Sequence, residues 1–149
     1  MRIFLFLVVD IINNYFYETI KEAKKAYKRD DVPVGAIIVK KNKIIARAYN
    51  KKEKNQIATH HAEILAIEKA CKKTRNWHLN DCEMYVTLEP CLMCKGAILE
   101  SRIKKVTFFL KRKKVMHEVF EKNKTTKFVY KKINDEYELL LKSFFESKR

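Results

Sequence analysis

Two short clusters, His61-Ala62-Glu63 and Pro90-Cys91-Leu92-Met93-Cys94, constrain this chain more than any other feature. Each stands where a helix is predicted to begin. Cys91 and Cys94 are three apart and so share one helix face, and Pro90 suits a first turn because the amide proton it lacks is not needed there. Free amides and the helix dipole favour thiolates at that end. Two thiolates and one imidazole would give a zinc ion three protein ligands and leave its fourth tetrahedral position open, as hydrolytic sites require. His61 and Glu63 are two apart and point in different directions. The histidine can therefore ligate while the carboxylate stands beside a metal-bound water, takes its proton and passes it to a substrate nitrogen.

The same residue types have other uses. A Cys-x-x-Cys pair also serves redox chemistry, which leaves His-Ala-Glu without a role. A structural zinc site would want four Cys or His ligands, and Cys71 and Cys82 lack a paired spacing; both read as small core residues. His60 is a rival ligand but fits a loop or helix-cap position better. His78 and His117 are isolated and read as surface or loop residues. Leu92 and Met93 are expected to pack their helix against the sheet. Asn50 either donates to a base or ribose or bonds its own backbone in a turn.

Hydrophobic periodicity supplies the frame. Phe16, Ile20, Ala23 and Tyr27 recur at helical spacing within a first helix, Tyr15 to Arg29. Ala36 to Val39 and Ile44 to Ala48 are β-rich runs joined by Lys41, Asn42 and Lys43, an antiparallel hairpin. Asn50 to Thr59 reads as a loop. A second helix follows over His60 to Lys72, with Ile64, Leu65, Ile67 and Ala70 on its apolar side and Thr59 as cap. Met84 to Leu88 is a strand, a helix runs from Pro90 to about Ser101, and Val106 to Leu110 is a buried strand. Lys111 to Thr126 gives no clear pattern; Phe128 to Tyr130 is a final strand, and Asp135 to Ser147 an amphipathic helix. The alternation predicts a layered α/β domain of about five strands.

A chain of 149 residues, 47% apolar, suits one such domain with no room for a second catalytic unit. Its formal net charge of +15 predicts attraction to polyanions and makes nucleic acid the first partner to test. Four cysteines without an export signal suggest a reducing, cytoplasmic setting. The apolar run Ile3 to Val9 is much shorter than the roughly 20 residues of a spanning helix and is interrupted by Asp10, so no membrane association is expected. Residues 1–14 read as an N-terminal extension: a half-turn or strand on the domain, or an overhang.

The His-x-Glu and Pro-Cys-x-x-Cys patterns are the signature of zinc deaminases. Together with Ala23-Lys24-Lys25-Ala26, Val32-Pro33-Val34-Gly35-Ala36, Asn50, Tyr85-Val86-Thr87-Leu88-Glu89-Pro90-Cys91, Gly96-Ala97, Ser101-Arg102-Ile103 and Phe144-Phe145, they make the chain resemble the tRNA-specific adenosine deaminases of the cytidine deaminase-like superfamily, from about Ile20 to Arg149. The resemblance implies a three-layer α/β/α fold around a mixed sheet. It implies one Zn2+ per subunit on His61, Cys91 and Cys94, and hydrolytic deamination of adenosine to inosine by zinc-bound hydroxide with Glu63 as proton shuttle. Asn50 would hold the flipped nucleoside, Val34 and Gly35 would line the base pocket, and Phe145, Lys148 and Arg149 would approach the anticodon stem and loop. The implied partners are a second copy of the chain, as a homodimer, and a tRNA with adenosine at its first anticodon position, usually an arginine tRNA.

The chain also departs from that family. Arg112 stands at about the place of an aspartate that opens a Gly-rich loop, Gln56-Ile57-Ala58-Thr59-His60 lacks an Asp-Pro, and Glu146 replaces a common arginine. Guanine deaminase, cytidine or deoxycytidylate deaminase, and a non-catalytic RNA-binding subunit are the competing readings.

Overall fold

Residues Ala36, Ile37 and Ile38 are fully buried, which an edge strand with one wet face would not allow; they require cover on both sides. The computed structural model describes residues 2–113 and 125–149 and shows that cover. Strand β1 (Gly35–Lys40) pairs antiparallel with β2 (Lys43–Tyr49) and with β3 (Cys82–Val86). Strand β3 then pairs parallel with β4 (Lys105–Phe108), and β4 with β5 (Lys127–Tyr130). The mixed sheet has the order β2-β1-β3-β4-β5. The expected hairpin is present, turning at Lys41 and Asn42 with φ of 50° and 62°, the positive values of a two-residue hairpin turn.

Helices α1 (Arg2–Lys28) and α3 (Ala62–Thr74) both pack on β1 and β2. Of the expected apolar side of α3, Ala70 is buried and Leu65 and Ile67 pack partly buried against the core, but the fully buried stripe is Ala62, Ala66 and Ala70; alanines at four-residue spacing bring the helix close to the sheet. Thr59 does not cap this helix, since His61 occupies the N-cap position. Helix α4 is Leu92–Glu100 with Cys91 as its N-cap, so Pro90 lies just before the helix. Helix α5 (Glu136–Glu146) buries Tyr137 and Phe144; Phe144 meets Tyr27 of α1 edge-on, and the Tyr137 hydroxyl donates to the carbonyl of Pro33 at 2.8 Å. The stretch read as a plain loop after Asn50 contains a short helix, α2 (Lys52–Asn55), because both oxygens of the buried Asp31 carboxylate accept from the amides of Glu53 and Lys54, at 2.7 and 3.0 Å.

Gly35 is under α1. A Cβ there would overlap the Thr19 carbonyl oxygen and come within 2.6 Å of the Ala23 nitrogen, so this glycine sets how closely α1 lies on β1.

The N-terminal expectation needs correction. Residues 2–14 form no strand or separate half-turn; they continue α1 as one helix of 27 residues. Its second half is committed to the core through Tyr15, Phe16, Ile20, Ala23 and Ala26, whereas Ile3, Phe4, Leu5 and Phe6 are at least 61% exposed. By length and composition alone this helix is apolar enough to cross a membrane, but its core-facing half is packed against the sheet. Cys82 is buried as expected, while Cys71 is only half-buried. His117 and most of the segment without a clear pattern lie outside the described residues.

Candidate metal centre and active site

The residues that follow β3 and β4 meet the N-terminus of α3 at the carboxyl ends of these parallel strands, the usual location of α/β sites. His61 precedes the first turn of α3 and Cys91 precedes that of α4, both in extended backbone that swings their side chains across the gap between helix ends. The Nδ1 of His61 lies 3.6 Å from the Sγ of Cys91 and 3.5 Å from that of Cys94, and all three ligand atoms fall within 4.8 Å of one another. The donor set fits zinc: tetrahedral bonds of about 2.3 Å to sulfur and about 2.1 Å to nitrogen put those atoms about 3.6 Å apart. The group can therefore hold a metal ion with Glu63 beside it. That carboxylate is 2% exposed and accepts the Cys94 thiol at 2.8 Å through Oε2.

The electrostatics agree with the geometry. The hydrogen bond with Cys94 is the main cause that holds the Cys91 thiol well below its ordinary value, against the opposing effect of burial and with help from His61. The same bond, then burial, pushes Cys94 up. His61 is raised, first by its bond to Cys91. Burial pushes the Glu63 carboxyl up, with the Cys94 bond and His61 pulling the other way. A carboxyl poised in this way can both accept and return a proton.

His61 and Glu63 open onto a cavity of about 700 Å3, within the size range of small-molecule sites. Val34, Leu88, Leu110, Leu141 and Phe145 supply apolar walls, Asn50, His61 and Glu63 a polar floor, and Lys52, Lys111, Arg112, Lys113, Lys142 and Arg149 a basic margin. Val34, Asn50, Phe145 and Arg149 thus line one space. Gly35 is not among the lining residues, and its position beneath α1 accounts for it better than a base contact does. Lys148 is directed to an ion pair with Asp30 and over the Phe144 ring instead. The Asn50 amide donates to the Val32 carbonyl at 3.2 Å and accepts the Lys52 amide at 3.2 Å, the turn role, while one Nδ2 proton remains for a ligand.

His60 is not part of the ligand cluster; its ring bonds Asn55 at 2.9 Å within the loop. His78 stacks on Trp77 at the surface. Leu92 and Met93 do not pack on the sheet as expected, being 41% and 36% exposed. Sequence reasoning missed a buried ion pair, Lys95 to Glu89 at 3.3 Å, with side chains 6% and 5% exposed. It also missed the bond from Arg112 Nε to the Glu89 carbonyl at 2.6 Å. A lysine and a glutamate beside a cysteine pair carry no periodic signal that would reveal such pairing.

The profile of the MafB19-like deaminase family matches residues 12–149. The chain belongs to this family. The chain is 51% identical over 94 residues to a tRNA-specific adenosine deaminase of Bacillus subtilis (strain 168), a match covering 63% of this chain and 58% of that protein. It is 50% identical over 95 residues to a tRNA-specific adenosine deaminase of Aquifex aeolicus (strain VF5), covering 63% of each. The chain thus spans about three-fifths of the length of the curated relatives it matches. Among solved structures, one from studies of A-to-I editing by tRNA:A34 deaminases superposes with a TM-score of 0.75 at 29% identity, covering 80% of this chain and 98% of that chain. A guanine deaminase of Bacillus subtilis superposes with a TM-score of 0.63 at 36% identity, covering 66% and 64%. The α/β architecture with a mixed five-stranded sheet is the one these deaminases share.

Proposed function

We propose that this deaminase converts adenosine to inosine at the first anticodon position of a tRNA, with zinc as its metal. The observation that carries the reading is the convergence of His61, Cys91 and Cys94 beside a buried Glu63 at the floor of a cavity with a basic margin. Zinc held there supplies Lewis acidity that lets water act as a nucleophile near neutral pH. The residues of the chain do the rest. Val34, Leu88 and Phe145 exclude water around an extruded base, and the remaining Asn50 Nδ2 proton is available to a base or ribose oxygen. Glu63 takes a proton from the attacking water and returns it to the purine. Oxygen adds at C6, the C6–N bond breaks, and ammonia leaves. A loop nucleotide is already poorly stacked, so extruding it costs less than opening a duplex.

The names of the tRNA-directed relatives support this substrate, and the net charge of +15 supports a polyanionic one. An arginine tRNA is the proposed target, met in the cytoplasm. The exposed Leu92 and Met93 at the start of α4 support a homodimer in which a second copy covers that apolar end.

The test is a substrate panel with zinc-loaded protein: arginine tRNA carrying adenosine at the first anticodon position, free guanine, cytidine and deoxycytidylate. Inosine in the tRNA with no turnover of the others is the expected result. Turnover of guanine alone would replace this reading with that of the guanine deaminase relative.

A further inference from the structure

The basic margin of the cavity is uneven in one respect. Of its six cations, Arg112 alone is fixed by a side-chain hydrogen bond among the described residues. Its Nε donates to the Glu89 carbonyl at 2.6 Å and its backbone amide donates to Glu89 Oε1 at 3.3 Å. Glu89 is itself held: its Oε2 takes the buried Lys95 ammonium at 3.3 Å. The guanidinium is therefore mounted on a buried pair close before the metal-ligating Cys91. Because Nε bonds a carbonyl, the positive charge is oriented without being neutralised, and among the described residues Arg112 forms no ion pair. Its terminal nitrogens remain as a planar two-donor edge that matches a phosphate, and a pre-positioned fork loses little entropy on binding. Lys111 and Lys113 flank it and add charge, the Lys111 ammonium sitting over the Tyr130 ring at 4.9 Å.

We propose that Arg112 is a specificity-determining residue that takes a backbone phosphate adjoining the target nucleotide, so that the cavity selects a polynucleotide over a free base or nucleoside. This rests on the reading of the cavity as a nucleobase-deaminating site. The chemistry follows from the layout. The walls and floor accommodate an uncharged ring, and the margin carries six cations against the two carboxylates of Glu138 and Glu146, an excess of positive charge that a free base would not meet. A phosphate attached to the same nucleotide as the buried base would meet it.

The experiment measures binding separately from turnover. A labelled anticodon stem-loop RNA with adenosine at the first anticodon position is titrated with zinc-loaded protein in the Glu63→Ala background, across a range of salt concentrations. The RNA is made either with normal linkages or with one neutral methylphosphonate on the 5′ or the 3′ side of the target. Arg112→Gln is expected to weaken binding of the normal RNA about tenfold and to reduce the slope of log affinity against log salt by about 1, one phosphate contact. At one of the two modified linkages, Arg112→Gln should cause no further loss, because the partner charge is already gone. Equal additional losses at both linkages would overturn the proposal, as would an unchanged salt slope.

Metal content is read on the same samples. If Arg112→Gln released zinc, Arg112→Lys would decide instead: retained metal with the parental salt slope and the same single sensitive linkage supports the phosphate contact, and insensitivity to both linkages overturns it. A parent protein that neither binds nor converts the stem-loop would defeat the functional reading itself. Conversion by the parent with no selective effect at Arg112 would defeat this inference alone.

Discussion

The Oε2 of Glu63 lies 2.8 Å from the Sγ of Cys94, which ties the proposed acid–base group of α3 directly to a candidate metal ligand of α4. Neither residue is more than 2% exposed, so loss of either partner leaves a buried polar atom without its bond.

Cys94→Ala should reduce bound zinc from one per chain to nearly none and lower unfolding stability by a few kcal/mol, roughly 3, because metal binding energy is folding energy. Metal analysis paired with urea unfolding of parent and variant checks this. Full metal content in the variant would remove Cys94 from the ligand set.

Gly35→Ala should be among the most damaging small changes in the chain. Its new methyl would overlap the Thr19 carbonyl oxygen and crowd the Ala23 nitrogen, both backbone atoms of α1, so α1 must lift from β1. A loss of about 3 kcal/mol, at the upper end of ordinary overpacking, is expected in denaturant unfolding. Loss of RNA binding at unchanged stability would instead favour the base-pocket role expected from the sequence.

The candidate metal centre is legible in the sequence because its spacing is chemical: His61 and the pair Cys91 and Cys94 are candidate ligands whose placement is set by helix starts. The hairpin, the final helix and the apolar run that becomes β1 are legible from hydrophobic pattern. Three things are not. The stripe of α3 is alanine, whose weak hydrophobic signal is outweighed by Ile64. The bonding of the first turn of α2 to Asp31 joins residues more than twenty positions apart, which no local rule reveals. The apolar length of the N-terminal run says little about helix continuity through Asp10, which depends on backbone propensity that Asp10 lowers only modestly.

Stability should decline on the alkaline side. Burial pushes Tyr85 and Tyr137 above their ordinary value of 10.0. The folded state thus favours their neutral forms, so this contribution is whole below pH 10 and is lost as pH rises through the raised folded values. Unfolding free energy measured from pH 8 to 11 should fall at the upper end, and Tyr85→Phe should flatten that limb. An unchanged limb in Tyr85→Phe would assign the decline to other groups.

The exposed start of α1 should contribute little to domain stability. Phe4→Ser and Phe6→Ser, both at positions 70% exposed, are expected to change unfolding free energy by no more than about 0.5 kcal/mol, whereas Phe16→Ala, at 1% exposure, should cost about 3–5 kcal/mol. Thermal and urea unfolding of the three variants would show whether the boundary between projecting and packed helix falls where the structure places it.

The most direct measurement is formation of inosine at the first anticodon position of unmodified arginine tRNA by zinc-loaded protein, with Glu63→Ala alongside and RNA binding measured for both. Conversion by the parent, with retained RNA binding but no conversion by Glu63→Ala, is the predicted result. Conversion at the parental rate by Glu63→Ala, or none by intact zinc-loaded parent, would contradict the proposed activity.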